Sequence, residues 1–256
     1  MKVVAAALQL PATPGEVDAN LARLEEAVAE LPRDVTLAVA PELVNTGYDL
    51  GLIARVGRKL AEPADGPSVH RIARLAHRYR LTMIAGFLES AGDDLFDSIV
   101  VAGPEGERAV YRKTHLYPAE QPIFSAGSEL VTTEADGFRL GMMICFEHAF
   151  PEIATTLALE GAEIVVIPSA VPEGYEHLLW LRTRARAQDN QVFVVACNMT
   201  GKPFCGGSLI VDPRGDILAQ AGEGTDTIVA TLDSDNVAAE RAREPSLRLR
   251  RPELYE

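Results

Sequence analysis

Cysteine is scarce in this chain of 256 residues, which contains three, and no two of them stand in a C-x-x-C spacing. An odd number of widely spaced cysteines excludes a disulfide-built scaffold and the common cysteine zinc sites. A reducing, cytoplasmic setting is the simplest interpretation of such cysteine usage. The five histidines are scattered without metal-ligand spacing, so the sequence predicts no metal site.

Positive charge and long apolar runs are also in short supply. Lys and Arg number 24 against 37 Asp and Glu, which leaves a formal net charge of −13. That sign argues against nucleic acid or an anionic membrane as a partner, and no apolar run approaches the roughly 20 residues of a membrane span. The apolar start at residues 1–10 is interpreted as a buried strand rather than a signal peptide, because a helix-start signal follows at once.

Apolar patterning divides the chain into alternating strands and helices. Predicted strands cover residues 3–10, 35–40, 81–88, 138–145, 164–168, 192–197 and 227–232. One predicted helix begins at Pro14, and three more cover residues 69–76, 152–159 and 177–189. Predicted hairpins join 95–102 to 108–113 and 208–211 to 217–220. This order indicates one α/β domain over residues 1–256, with a basic C-terminal tail from about residue 236.

Cys145 is the first candidate for a reactive group, because it ends the apolar run 138–145. A strand that stops on a cysteine presents the sulfur and the next backbone N–H groups at one edge of a sheet. A thiolate is a strong nucleophile, and such N–H groups can hold an oxyanion. A buried core cysteine fits the same segment equally well, so distant residues have to distinguish the two.

Two other predicted strand ends carry charged side chains. Glu42 follows an apolar strand, where a carboxylate is costly unless it caps a turn or has a function. Lys113 closes a hairpin strand, where the alternative is a solvated edge lysine. If both converge on Cys145, the carboxylate can take the thiol proton, while the ammonium and the Phe146 N–H can hold an oxyanion. Such a set suits addition of sulfur to an amide carbonyl, a ureido carbon or a nitrile.

Three segments in the right order resemble the motifs of the nitrilase, or carbon–nitrogen hydrolase, superfamily, and the likeness spans essentially the whole chain. Residues 41–48 resemble its glutamate motif, residues 111–116 its lysine motif and residues 141–152 its cysteine motif. Phe146 and Glu147 depart from the Tyr or Trp and the Asp of many relatives, which could reshape the pocket. Further matches are residues 65–67, 184–187, 206–208, 212–215 and 251–255.

The resemblance implies a four-layer α-β-β-α sandwich and a catalytic triad of Glu42, Lys113 and Cys145. It also implies that Glu120, shortly after the lysine motif, positions the substrate and relays protons beside Lys113. A histidine base, His115 or His148, is less favoured because these residues already supply the chemistry. No cofactor is expected. The residues expected to bind substrate are Tyr48, Phe146, His148, Ala170 and Val171.

The implied reaction is hydrolysis of a small amide to a carboxylic acid and ammonia through a cysteine thioester. A small aliphatic amide or ω-amide is the first choice of substrate. An N-carbamoyl amide hydrolase, a nitrilase and a non-catalytic interaction module with the same fold are the alternatives. The sequence places no arginine in the pocket for a substrate carboxylate, since it predicts surface ion pairs for Arg182, Arg184 and Arg186. The resemblance further implies at least a homodimer, with the C-terminal segment reaching the partner subunit.

Overall fold

The computed structural model describes residues 1–106 and 108–254, which form strands and helices in close alternation. The strands are β1 (Lys2–Gln9), β2 (Leu37–Val39), β3 (Thr82–Ala91), β4 (Asp94–Ala102), β5 (Arg108–Arg112), β6 (Thr132–Ala135), β7 (Phe138–Met142), β8 (Ile164–Ser169), β9 (Phe193–Asn198), β10 (Thr200–Gly201), β11 (Phe204–Cys205), β12 (Leu209–Val211), β13 (Ile217–Gln220) and β14 (Asp226–Asp233). The α-helices are α1 (Val17–Ala29), α2 (Leu50–Leu60), α3 (Pro67–Tyr79), α4 (Pro151–Leu159), α5 (Glu176–Asn190) and α6 (Ser234–Arg243). Two short 3-10 helices cover Cys145–Ala149 and Pro252–Leu254.

Twelve of these strands build two six-stranded sheets, in the orders β14-β1-β2-β3-β4-β5 and β13-β12-β9-β8-β7-β6. Each sheet has a parallel centre, β1-β2-β3 in the first and β7-β8-β9 in the second, flanked by antiparallel strands. The parallel strands are mostly apolar because both of their faces are covered.

The hydrophobic core lies in three layers, one between the sheets and one under each pair of helices. Side chains from both sheets meet in the middle layer, for example Val39 and Ile99 of the first sheet with Phe138 and Val166 of the second. Helices α1 and α3 cover the outer face of the first sheet, and α4 and α5 cover that of the second. The predicted four-layer α-β-β-α sandwich is therefore confirmed.

The structure differs from the sequence predictions at four places in the fold. Helix α1 begins at Val17 rather than at Pro14, and helix α2 was not predicted. The predicted strand 138–145 ends at Met142, because Cys145 has a φ of 45° that no strand accommodates. The C-terminal segment from about residue 236 begins inside helix α6, whose Val237 is buried in the core between the sheets. Tyr255 and Glu256 lie outside the described residues.

No helix in residues 1–106 or 108–254 combines the length and the apolar character that a membrane span requires.

Candidate active site

The charged residues singled out in the sequence meet the cysteine where the strands of the two sheets end. Glu42 and Lys113 follow β2 and β5 of the first sheet, whereas Cys145 follows β7 of the second. Because the carboxyl ends of parallel strands lie at one edge of a sheet, ligand sites collect there. The site therefore straddles the two sheets.

The ammonium group of Lys113 is the centre of a buried charged cluster. Its Nζ donates to Glu42 Oε1 at 2.6 Å, to Glu120 Oε1 at 2.7 Å and to Asp97 Oδ2 at 3.1 Å. All four side chains are buried. Burial alone would lower the pKa of Lys113, but the surrounding carboxylates outweigh burial and raise that pKa well above its usual value. Lys113 is thus a fixed positive charge.

Glu120 is held from a second side as well. Its Oε1 accepts a hydrogen bond of 2.6 Å from the Tyr48 hydroxyl, and its Oε2 accepts one of 2.7 Å from the Tyr117 backbone N–H. Burial raises the pKa of Glu120, Lys113 opposes that rise, and Glu42 adds to it. Both carboxylate oxygens of Glu120 are therefore partnered and fixed in place.

Cys145 opens the 3-10 helix Cys145–Ala149 in the left-handed region of backbone space, at a φ of 45°. A non-glycine residue there is strained, and such strain collects at functional sites. Burial and the nearby Glu42 carboxylate raise the pKa of the Cys145 thiol well above its usual value, while Lys113 and the backbone of Ala170 oppose that rise. The resting sulfur therefore carries its proton at neutral pH, so a base has to remove that proton during attack.

Glu147 ties the cysteine segment to the lysine segment. Its Oε1 accepts from the Tyr111 hydroxyl (2.7 Å), from the Thr114 N–H (2.8 Å) and Oγ1 (2.6 Å), and from the His115 N–H (3.2 Å). Its Oε2 accepts from the Ile144 N–H at 2.7 Å. The side chain is fully buried. Glu147 thus fixes the distance between the strand ends that carry Lys113 and Cys145.

Gly86 of β3 makes room for the segment that carries the carboxylate base. A Cβ at this position would lie 2.3 Å from the Leu43 nitrogen and 2.7 Å from the Glu42 Cα. Leu43 itself has a φ of 44°, so the chain turns sharply straight after Glu42. We expect Gly86→Ala to displace Glu42 and to lower both stability, by about 1–3 kcal/mol, and hydrolytic rate. Chemical denaturation and activity assays measure both effects.

The matched control for this prediction is Gly222→Ala, because no atom lies within 4 Å of a Cβ built there. Equal effects of the two substitutions would contradict the steric account of Gly86.

A pocket of about 390 Å³ opens onto Cys145 and Glu120. Its wall includes all five residues that the sequence indicated for substrate binding: Tyr48, Phe146, His148, Ala170 and Val171. Further apolar and aromatic side chains complete it, among them Leu178 and Phe204. The wall is mostly apolar, so the pocket suits a small molecule with few polar groups.

The arginine prediction was wrong for Arg182, which lies on the pocket wall instead of in a surface ion pair. Its Nη1 donates to His148 Nε2 at 3.2 Å. Burial and the charges of Arg182 and Arg186 lower the pKa of His148 to about 3, so this imidazole is neutral and accepts the hydrogen bond. Among the salt bridges within the described ranges none involves Arg182, whereas Arg186 reaches Asp189 at 3.2 Å.

The remaining cysteines and His115, which the sequence also offered as candidates, have structural surroundings. Cys197 and Cys205 are buried, as predicted for core thiols. The His115 ring contacts Thr114 Oγ1 at 2.8 Å and packs in a tilted arrangement against the Phe150 ring. Asp97 was missed, although a carboxylate inside the apolar strand β4 carries the same signal as Glu42.

Glu42, Asp97 and Glu120 are the one group in residues 1–106 and 108–254 whose spacing suits a metal ion. One oxygen of each lies within 4.8 Å of the others. Lys113 Nζ already contacts all three carboxylates. The ammonium thus fills the place where a metal ion would bind.

Comparison with known proteins agrees with this geometry. The family model described as carbon–nitrogen hydrolase matches residues 4–242. A protein named "Hydrolase in pqqF 5'region", from Pseudomonas protegens, is 38% identical over 97% of this chain and 89% of its own length. An (R)-stereoselective amidase from a Pseudomonas species is 34% identical over 91% of this chain and 86% of its own length.

A solved structure gives the same result for the fold. Nit3 of Saccharomyces cerevisiae, a member of branch 10 of the nitrilase superfamily, superimposes with a TM-score of 0.87 at 30% identity, covering 95% of this chain and 94% of Nit3. The residues matched by the family model, 4–242, include all the segments that carry the site. The chain therefore belongs to the carbon–nitrogen hydrolase family and is a hydrolase of C–N bonds other than peptide bonds.

Proposed function

We propose that the protein hydrolyses small amides through a thioester on Cys145. Glu42 takes the thiol proton while the sulfur attacks the amide carbon, and Lys113 with the Phe146 N–H stabilises the oxyanion. The C–N bond breaks as the nitrogen receives this proton from Glu42, and ammonia leaves. Water then attacks the thioester with Glu42 as base, which frees the carboxylic acid and restores the thiol.

The observation that carries this proposal is the hydrogen-bonded cluster of Glu42, Lys113 and Glu120 behind a pocket that contains Cys145. A protonated thiol needs a base, and Glu42 is the carboxylate that acts on the thiol pKa most strongly. Glu120 contacts both Lys113 and Tyr48, which suits it to position the substrate amide. The roles of the five wall residues, Tyr48, Phe146, His148, Ala170 and Val171, are part of the same proposal.

Ammonia release from a panel of small amides, N-carbamoyl amines and nitriles tests this function. We expect amides to be turned over and the other two classes to react more slowly. Faster turnover of N-carbamoyl amines or nitriles would replace amide hydrolysis with one of those alternatives. Failure of the whole panel, with Cys145 unreactive toward iodoacetamide, would favour a non-catalytic interaction module.

The position of Arg182 favours an amide that also bears a carboxylate, that is, an ω-amide. The Arg182 guanidinium lies on an apolar wall, and no carboxylate of residues 1–106 or 108–254 forms a salt bridge with it. Such a group binds a planar anion well, because it offers two parallel N–H donors. The neutral His148 ring holds one of its nitrogen atoms in place. The carboxylate would then lie at the end of the substrate remote from the scissile amide.

Substituting Arg182→Gln tests this preference with two substrates of equal length, the monoamide of succinic acid and butyramide. We expect kcat/KM for the charged amide to fall about 10–100-fold, the value of a charge-assisted hydrogen bond, and kcat/KM for butyramide to change by less than about threefold. Arg184→Gln is the control, since the Nε of Arg184 donates to the Gly215 carbonyl instead. An equal loss of kcat/KM for both substrates would show that Arg182 has a structural role and does not bind the substrate carboxylate.

A homodimer in the cytoplasm completes the proposal. Large apolar side chains are exposed on α5, including Leu181 at 64%, and in the C-terminal segment, including Leu249 at 70% and Leu254 at 61%. Burying them against a second copy of the chain would remove this apolar surface from water. Light scattering at micromolar concentration measures the mass. The three free thiols, one of which has to stay reduced for catalysis, support a reducing compartment.

A further inference from the structure

The buried cluster around Lys113 holds more negative charge than its ammonium can balance. Glu42, Asp97 and Glu120 are each within 3.1 Å of the Lys113 Nζ, and each is almost wholly removed from water. Three ionised carboxylates would leave two uncompensated charges in a region of low dielectric constant. Such a state is costly, and buried groups avoid it by keeping a proton.

Two oxygen atoms of the cluster indicate where that proton is. Lys113 binds Glu42 through Oε1 and Asp97 through Oδ2. The second oxygen of each, Glu42 Oε2 and Asp97 Oδ1, is buried and accepts no hydrogen bond from the described residues. Glu120 differs, because donors reach both of its oxygens. The unpartnered pair therefore belongs to Glu42 and Asp97 alone.

We propose that Asp97 is held as the neutral acid and donates a hydrogen bond to the Glu42 carboxylate, which makes Asp97 a positioning residue for the catalytic base. One O–H···O⁻ hydrogen bond between Asp97 Oδ1 and Glu42 Oε2 satisfies both unpartnered oxygens and removes one of the two excess charges. One carboxylate oxygen each of Glu42, Asp97 and Glu120 lies within 4.8 Å of the other two, so the Asp97 and Glu42 carboxyl groups are close neighbours in the cluster.

The other charged groups around Asp97 agree with this assignment. Burial and the neighbouring Glu42 carboxylate raise the pKa of Asp97 well above its usual value, Lys113 opposes the rise, and Glu120 adds to it. Cys145, from the second sheet, faces the same cluster as a protonated thiol. The Tyr48 hydroxyl donates its hydrogen bond to Glu120. Of the carboxyl groups in the cluster, Asp97 is therefore the one we assign the proton to.

The shared proton has a consequence for catalysis. Glu42 stays ionised, with Oε1 fixed by Lys113 and Oε2 fixed by Asp97, so its remaining lone pairs keep one orientation toward the sulfur.

The pH profile of kcat/KM in Asp97→Asn tests the charge state of Asp97. Its acid limb reports protonation of Glu42, and the asparagine amide can donate to Oε2 as the acid does. We expect kcat/KM to fall by up to about tenfold while the acid limb moves by less than about 0.3 pH unit. An ionised Asp97 predicts another result: the substitution then removes a negative charge beside the catalytic base, and the acid limb moves down by about one pH unit or more. That shift would overturn the proposal.

Ser98→Ala is the control for disturbance of strand β4, because the Ser98 hydroxyl donates to Glu89 rather than to the cluster. It is expected to leave the position of the acid limb unchanged.

Infrared spectroscopy of the wild-type protein gives a readout that needs neither activity nor a variant. Aspartate labelled with ¹³C in its carboxyl groups should shift a carboxylic-acid C=O band at neutral pH, and Asp97→Asn should remove this band. Absence of this band from the wild-type spectrum would contradict the proposal, even if the variant failed to fold. Because the inference rests on the proposed role of Glu42 as base, the infrared result also separates its failure from a failure of amide hydrolysis.

Discussion

Replacing Cys145 by alanine is expected to lower the rate of ammonia release from an amide substrate by about 10⁵-fold or more. The sulfur forms the covalent bond to the amide carbon, and no other described side chain on the pocket offers a thiol. Loss of the nucleophile in hydrolases that act through an acyl-enzyme has an effect of this size. A coupled ammonia assay under single-turnover conditions measures the residual rate.

The fold should survive this substitution, so circular dichroism and the unfolding midpoint are expected to stay close to those of the wild type. Cys205→Ala is the matched control, since the Cys205 thiol is buried and burial raises its pKa to about 11. Wild-type turnover by Cys145→Ala would exclude the thioester route. Carboxamidomethylation of the wild type should stop at one equivalent, on Cys145, and should speed up as pH rises, because the thiol is protonated at rest.

Replacing Glu147 by alanine is expected to cost about 3–5 kcal/mol of unfolding free energy, the largest stability effect we predict for one residue outside the chemistry. The carboxylate accepts five hydrogen bonds, and its loss leaves the N–H groups of Ile144 and Thr114 without a partner. Each buried unsatisfied donor costs about 1–3 kcal/mol. Urea unfolding at constant m-value measures the change.

Glu147→Gln should cost less, because its amide oxygen keeps some of these hydrogen bonds while its NH₂ group meets other donors. Glu26→Ala, on the exposed face of α1, is expected to change stability by less than about 0.5 kcal/mol. If Glu147→Ala were as mild as this control, Glu147 could not be what joins the two segments.

The sequence was sufficient to predict the features that depend on local apolar patterns and on charged or reactive residues in apolar surroundings. Runs of apolar residues located the central strands of both sheets, because strands buried on two faces are predominantly apolar. A carboxylate after an apolar strand marked Glu42, and a cysteine at the end of an apolar run marked Cys145. The strand end itself was misplaced because no propensity foretells a cysteine at a φ of 45°.

What the sequence missed depends on contacts between distant segments. Helix α2 contains Gly51 and Gly57, which lower helix propensity, and the signal that remained was Asp49, whose side chain caps the helix at the Leu52 N–H. Arg182 looks like any helix-surface arginine until α5 is packed against the turn after Cys145. Glu147 was noted as a departure from many relatives, but its role depends on where the lysine segment passes.

The position of the active site across the two sheets makes catalysis sensitive to how the layers slide. One sheet carries Glu42, Lys113 and Asp97, and the other carries Cys145 and Ala170, so the reacting groups meet only through the packing of the middle core layer. A shift of one sheet by a single residue, about 3.3 Å, would separate base and nucleophile while leaving every strand intact. Substitutions at middle-layer positions such as Phe138 or Val39 can therefore silence the enzyme in a folded protein, far from any substrate.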